Sequence, residues 1–304
     1  MRKTLYILGL LLVSITSGAQ ALPFTAADYD PAVLGKGGAF MTETTSSAYA
    51  SFGNPAAVPF SGKNLDVAVG YTLWQPSSAA SNILGLGASY LVKEKIGISL
   101  GLAYGMNAPY DIVDPAGNIK GTFKPSDLQI NAGFSWLIMP YLSIGANLGY
   151  ASSALAEGHS YGAFNADVMA MVKFGGLKAS VGVRNLGTSV KSSSGNSFQL
   201  PSSVAVGVGY TLAAGEKLAL DFNVDADYYF KGGVAVAGGV SCTIFEMATV
   251  RAGYRYGGNT VLPSYVSVGA GLNLFGARID LAYLIAGKNS PFANTLCVGA
   301  GFSF

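Results

Sequence analysis

From Ile96 to Gly105 the chain reads Ile-Gly-Ile-Ser-Leu-Gly-Leu-Ala-Tyr-Gly, large apolar residues alternating strictly with Gly, Ser and Ala. A period of two sends successive side chains to opposite faces of a strand, so one face meets something apolar and the other stays small. The pattern recurs at Leu128, Ile130, Ala132, Phe134 and Trp136, at Leu142, Ile144, Ala146, Leu148 and Tyr150, and at Val204, Val206, Val208, Tyr210 and Leu212. Each run is about as long as a tilted membrane strand must be.

Composition narrows the surroundings of that apolar face. Half of the 304 residues are hydrophobic and only 11% are charged, against about 25% charged residues in soluble domains. Yet beyond the first residues no apolar run is long enough for a spanning helix. A transmembrane antiparallel β-barrel, an all-β fold, reconciles the two facts. The 41 glycines and 17 tyrosines fit it, through tight turns and aromatic belts. A soluble β-sandwich would carry polar outer faces, whereas the faces opposite the large side chains are mostly Gly, Ala and Ser. The net charge of +2 and the absence of a basic run give no reason to expect a nucleic-acid partner. Cys242 and Cys297 lie far apart in opposite strand phases, which reads as two small buried thiols rather than a disulfide.

Three segments follow. Arg2 and Lys3, the apolar run Leu5 to Ile15 and Ala19-Gln20-Ala21 make residues 1–21 a signal peptide cut after Ala21, with no Cys behind the cut to take a lipid. Residues 22–63 precede the first alternation and hold Gly37, Gly38 and the pair Asn54-Pro55, expected to fix a turn. They are too apolar and aromatic to float free, so the expectation is a plug inside the barrel. Residues 64–304 then form about fourteen strands.

Short joints at Lys93–Lys95, Met139-Pro140, Gly175-Gly176, Ala213–Glu216, Phe245–Met247 and Phe275-Gly276 alternate with longer ones at Met106–Ser126, Ser152–Tyr161, Gly187–Gln199, Gly257–Leu262 and Gly287–Pro291. A barrel in the cell outer membrane with both chain ends periplasmic produces that alternation, although the joint near Phe230 to Gly233 is short. The last strand ends in Phe304, which resembles the signal read by outer-membrane assembly machinery.

The small phase also carries Asp66, Asp167, Lys173, Arg184, Asp221, Asp225, Asp227, Arg251, Arg255, Arg278 and Asp280. Charges confined in a lumen must pair or meet water, and the acids near Asp221 to Asp227 are expected to meet the arginines near Arg251 and Arg278. An internal ion-pair lattice is favoured over a polar pathway. The longest joint, with Tyr110, Asp111, Ile112 and Phe123, is the expected outward contact surface. His159, the single histidine, falls in a predicted outward loop with no partner for a Ser/His or Asp/His site. Neither a metal-ligand cluster nor a phosphate loop is present, so no enzyme activity, metal or cofactor is expected.

"LGKGGAF" at Leu34 to Phe40 and "SSAYASFGNPAAV" at Ser46 to Val58 resemble the N-terminal signature of the PorV/PorQ proteins of type IX secretion, within the FadL-like outer-membrane transporter superfamily. "VRNLG" from Val183, "LPSSVAVGVGY" from Leu200 and "VRAGYRYG" from Val250 are similar to strand-end motifs of that family. The resemblance implies a fourteen-stranded barrel with its N-terminal segment in the lumen. It further implies a protein-binding component for export or surface attachment, with secreted or secretion-apparatus proteins as partners beside the outer-membrane lipid. The alternative is a FadL-like channel for hydrophobic small molecules. Either way the protein should extract only with detergent and migrate differently on gels before and after boiling; a soluble, heat-insensitive species would contradict the barrel.

Overall fold

The computed structural model describes residues 20–74, 81–191, 195–215, 217–258, 260 and 262–304. Most of the expected signal peptide therefore lies outside the described residues. The strands are β1 (Leu65–Trp74), β2 (Ser81–Val92), β3 (Ile96–Met106), β4 (Tyr110–Val113), β5 (Ile119–Phe123), β6 (Ser126–Met139), β7 (Leu142–Ala156), β8 (His159–Phe174) and β9 (Leu177–Gly187). They continue with β10 (Val190–Lys191), β11 (Ser197–Phe198), β12 (Ser203–Ala213), β13 (Leu218–Tyr229), β14 (Gly233–Ile244), β15 (Ala248–Tyr256), β16 (Tyr265–Leu274), β17 (Ala277–Ile285) and β18 (Thr295–Ser303). Fourteen of them close into one antiparallel barrel, and β4–β5 and β10–β11 form separate hairpins in the longer connections. The ring shuts where β1 runs beside β18, from Asp66 opposite Ser303 to Leu73 opposite Leu296.

Among the described residues of the fourteen barrel strands, every Asp, Glu, Lys and Arg faces inward. The outer face is Val, Leu, Ile and aromatic, with Tyr90, Trp136, Tyr141 and Phe174 towards the end bearing the tight turns and Tyr104, Tyr150, Tyr254 and Tyr283 towards the other, here called the loop end. Two aromatic levels flanking an aliphatic band are what a bilayer selects.

One connection differs from expectation. Ser152 to Tyr161 is not a long loop: β7 and β8 stay paired through Ala154 opposite Ser160 and Ala156 opposite His159, leaving only Glu157 and Gly158 between them. Gly158 takes the positive φ of 72° that so tight a joint needs. The run is Ala- and Ser-rich, so its alternation lacks the contrast in hydrophobicity that marks other strands. His159 is accordingly the exposed first residue of β8 rather than a loop residue.

Residues 22–63 thread the lumen. Pro31–Leu34 forms one α-helical turn (α1) capped by Asp30, whose side chain accepts from the Ala32 amide. Asn54-Pro55 does not make a simple turn; Asn54 caps a 3-10 helix over Pro55–Phe60, accepting from the Ala56 amide at 2.9 Å, and Pro55 occupies the first helical position, where no donor is lost. The segment lies directly against the wall because the wall offers glycines. A Cβ at Gly253 of β15 would overlap the Lys36 and Gly37 backbone, and one at Gly145 of β7 would overlap that of Pro55 and Ala56.

Gly253→Val should therefore expel or loosen the segment while the barrel still assembles, whereas Gly121→Val, which meets nothing within 4 Å, should change nothing. Planar-bilayer conductance checks this: a rise confined to the first variant is expected, and equal conductance in both would refute backbone-to-wall seating.

Candidate functional site: the lumen segment and the loop-end cavity

Gly37 and Gly38 need backbone that other residues resist, with φ of 74° and 80°. Gly37 also comes so close to β15 that a Cβ would lie 2.6 Å from the Tyr254 amide nitrogen, and its own amide donates to Ser267 Oγ at 2.9 Å. Lys36 is turned into a buried cluster. Its Nζ pairs with Glu43 and donates to Asn223 Oδ1 at 2.8 Å and Asp221 Oδ2 at 3.2 Å, while Lys178 Nζ meets the other Asp221 oxygen at 2.7 Å. Burial alone would raise the Glu43 carboxyl; Lys36 and Lys178, with hydrogen bonds from Lys36 and Thr45, outweigh it and hold Glu43 well below its usual range.

Other wall residues grip the segment through its backbone. Asp66 Oδ2 accepts from the Ser47 and Ala48 amides at 2.9 and 3.1 Å, and its Oδ1 takes Arg278 at 2.5 Å. Asp225 accepts from the Met41 amide at 2.8 Å. Asn54 Nδ2 donates to Met41 O at 2.7 Å and Ser180 Oγ at 2.9 Å. Arg184 lies 4.1 Å over the Phe40 ring and 3.6 Å from Asp227. Asp167 instead bonds within the wall, receiving the Asn185 amide at 2.6 Å, while Lys173 reaches Phe60 O of the segment at 3.3 Å.

The expected partners for the β13 acids are thus corrected. Asp221 meets Lys36 and Lys178, Asp225 a backbone amide and Asp227 Arg184, whereas Arg251 pairs with Asp280 at 2.8 Å and Arg278 with Asp66 and Asp280. β13 and β15 have β14 between them, which puts their inward side chains about 10 Å apart. The lumen segment is nearer than the second strand over. Arg255 points at Tyr229 OH, 3.5 Å away.

At the loop end a cavity of about 700 Å³ opens above the segment. Leu22, Pro23 and Phe24 lie along one side; Trp74, Leu155, Tyr161, Val190, Phe198, Leu262 and Phe292 supply most of the rest. Asp127, Ser153 and, within the expected signal peptide, Gln20 are polar exceptions. Trp74 and Phe292 meet edge to face at 5.0 Å, and a smaller void of about 10 Å³ beyond them shares Trp74, Leu262 and Phe292 with the large one. That void shares Asp28 with another of about 30 Å³ inside the lumen segment. The three voids are therefore neighbours in turn, the second sharing wall residues with each of the other two.

Tyr110, Asp111, Ile112 and Phe123 lie on the β4–β5 hairpin beside this cavity. Tyr110 OH donates to Leu155 O at 2.9 Å and its ring lies 5.8 Å from Phe123, Asp111 accepts from Thr122 at 3.1 Å, and Ile112 faces Gly121 across the pair. The cavity residues themselves escaped sequence reasoning, since they come from many separate segments that no local pattern joins. Asp127 carried a signal, being in phase with the inward Gln129 and Asn131.

No protein-family model matches the sequence, and no curated protein matches it. Solved structures share the architecture. The CymD monoaromatic hydrocarbon channel superposes with a TM-score of 0.63 at 12% identity, over 94% of this chain and 99% of that one. The Ralstonia pickettii toluene transporter TbuX gives 0.62 at 9% identity, over 92% and 100%. A Pseudomonas aeruginosa FadL homologue gives 0.50 at 12%, over 90% and 95%. At such identities the likeness is one of fold: a FadL-like outer-membrane barrel.

Lys36→Met should leave Glu43 and one Asp221 oxygen buried without their cation, a loss of about 3–5 kcal/mol for breaking such a pair from one side. Residues 22–63 should then become protease-sensitive inside a barrel that still shows heat-modifiable mobility. Continued protection would show that the Lys36 cluster does not hold the segment.

Proposed function

We propose that the chain is an outer-membrane channel for uptake of hydrophobic small molecules, with its loop end outside the cell and both chain termini periplasmic. The observation that carries this reading is the apolar cavity of about 700 Å³ at the loop end, bordered by the start of the lumen segment. Its size suits a small organic ligand, and an apolar wall with few polar groups is how such sites are built. The proteins of like fold named for monoaromatic hydrocarbons and toluene support the same substrate class. Residues 22–63 act as the plug that keeps the lumen shut to free diffusion, and removal of the signal peptide after Ala21 leaves that plug at the head of the mature chain.

The cavity also favours this reading over the protein-binding role implied by the resemblance to PorV/PorQ proteins. A docking role in type IX secretion would draw on the β4–β5 hairpin, where Val113 and Ile119 are exposed beside Tyr110, Asp111, Ile112 and Phe123. The two readings separate by mutation. Ser153→Trp fills the cavity from its wall and should reduce uptake of labelled toluene into cells to the barrel-free background, while deletion of residues 108–124 should leave transport largely intact. Toluene entry unaffected by Ser153→Trp, with loss of a copurifying protein on hairpin deletion, would favour the docking role instead.

A further inference from the structure

The cavity is not uniformly apolar, and its one carboxylate is placed in an unusual way. Asp127, near the start of β6, lines the cavity directly opposite Ser153 of β7, with Tyr161 of β8 one strand further round. Asn107 Nδ2 donates to its Oδ2 at 2.9 Å, and among the described residues this is its only hydrogen bond and no Lys or Arg lies within ion-pair distance of it. Elsewhere in the barrel the inward acids are held by cations or backbone amides, as Asp66, Asp221, Asp225, Asp227 and Asp280 are. Among the described residues lining the cavity there is no Lys, Arg or His side chain; Gln20 and Ala21 of that lining belong to the expected signal peptide, whose removal would leave an α-amino group on Leu22.

An unpaired carboxylate beside apolar surface attracts a donor and repels an anion. Resting on the uptake reading above, we propose that Asp127 is a specificity-determining residue and that the cavity selects apolar molecules carrying one hydrogen-bond-donating head, a protonated amine foremost and a hydroxyl next, over carboxylate amphiphiles such as fatty-acid anions. The ring or chain of such a ligand would lie against Trp74 and Phe292, and its head would meet the free Asp127 oxygen, with Ser153 Oγ close by on the wall.

Four molecules sharing one ring test this: toluene, benzyl alcohol, benzylamine and benzoate. The chain has two tryptophans, Trp74 in the cavity and Trp136 on the lipid face, so Trp136→Phe leaves Trp74 fluorescence as the binding signal in the full-length protein in nanodiscs. A hydrogen bond to a charged group predicts benzylamine binding about tenfold or more tighter than toluene, with benzyl alcohol between them and benzoate weakest. Asp127→Asn should erase the amine preference, bringing benzylamine to about the affinity of toluene measured on the same variant, while unchanged heat-modifiable gel mobility reports that the barrel is intact. The wild-type ligand series stands without that variant. Toluene binding with no amine preference overturns the role of Asp127 but not the uptake reading, whereas no toluene binding at all overturns the uptake reading. Preference for benzoate overturns the proposal and assigns recognition to a cation, the α-amino group that cleavage would leave on the lining residue Leu22 being the candidate.

Discussion

A hydrocarbon bilayer offers no hydrogen bonds, so a sheet that crosses it must pair both of its edges, and here the pairing of β1 with β18 does so. Much else follows from that closure. A ring of fourteen strands is too wide for its own side chains to fill, and an unfilled lumen of that width would leak. The chain answers with a segment of its own, placed ahead of the first strand so that it can fold back into the ring. For that segment to fit, the inner face must be low, and Gly87, Gly101, Gly145, Gly207 and Gly253 each stand where a Cβ would strike it. The alternation of large and small residues therefore serves two solvents: lipid outside and the chain's own backbone inside.

Charge inside the barrel has the same origin. A side chain facing lipid must be apolar, so every polar interaction available to hold the segment must come from the inner phase. Buried ion pairs gain little net stability once desolvation is counted, but they are exacting about geometry. Lys36, Glu43, Asp221 and Lys178 fix where the segment lies more than how tightly it is held. The bulge between β8 and β9 extends this logic: the register shifts after Ala166, Asn185 takes a φ of 51°, and two consecutive side chains, Arg184 and Asn185, both point inward. One reaches Phe40 and the other donates to Thr25 O at 3.2 Å.

Period-two alternation and charge phase carried the barrel, its strand number and the inward set of acids and bases in the sequence itself, because both are consequences of one strand facing two media. Ser152 to Tyr161 shows where that reading stops. When the outward residues are themselves Ala and Ser, strand and loop look alike, and only pairing with a neighbour decides. Ion-pair partners were less legible for a related reason. The phase of Asp221 says that it points inward, but its partner Lys36 is 185 residues away in a segment with no periodicity. The cavity is less legible still, since Phe24, Trp74, Tyr161 and Phe292 acquire common meaning only after the ring closes.

On the proposed uptake reading, the sizes of the three voids say where resistance to passage would lie. About 700 Å³ at the loop end accommodates a small ligand, but the next void of about 10 Å³ falls at the lower limit for a single water, and the one after it, about 30 Å³, takes little more. Between the first two stand Trp74, Leu262 and Phe292, held by edge contacts of Phe292 with Trp74 and with Tyr265 at 5.3 Å. Side chains of that kind can change rotamer without disturbing a barrel hydrogen bond. Beyond them, on that reading, a ligand would meet the half-buried Asp28 of the lumen segment, where passage would require backbone to move. On the proposed uptake reading, a small apolar molecule would be caught by preformed shape at the loop end, and its release inward would be governed by the contacts that seat residues 22–63 against the glycine-lined wall.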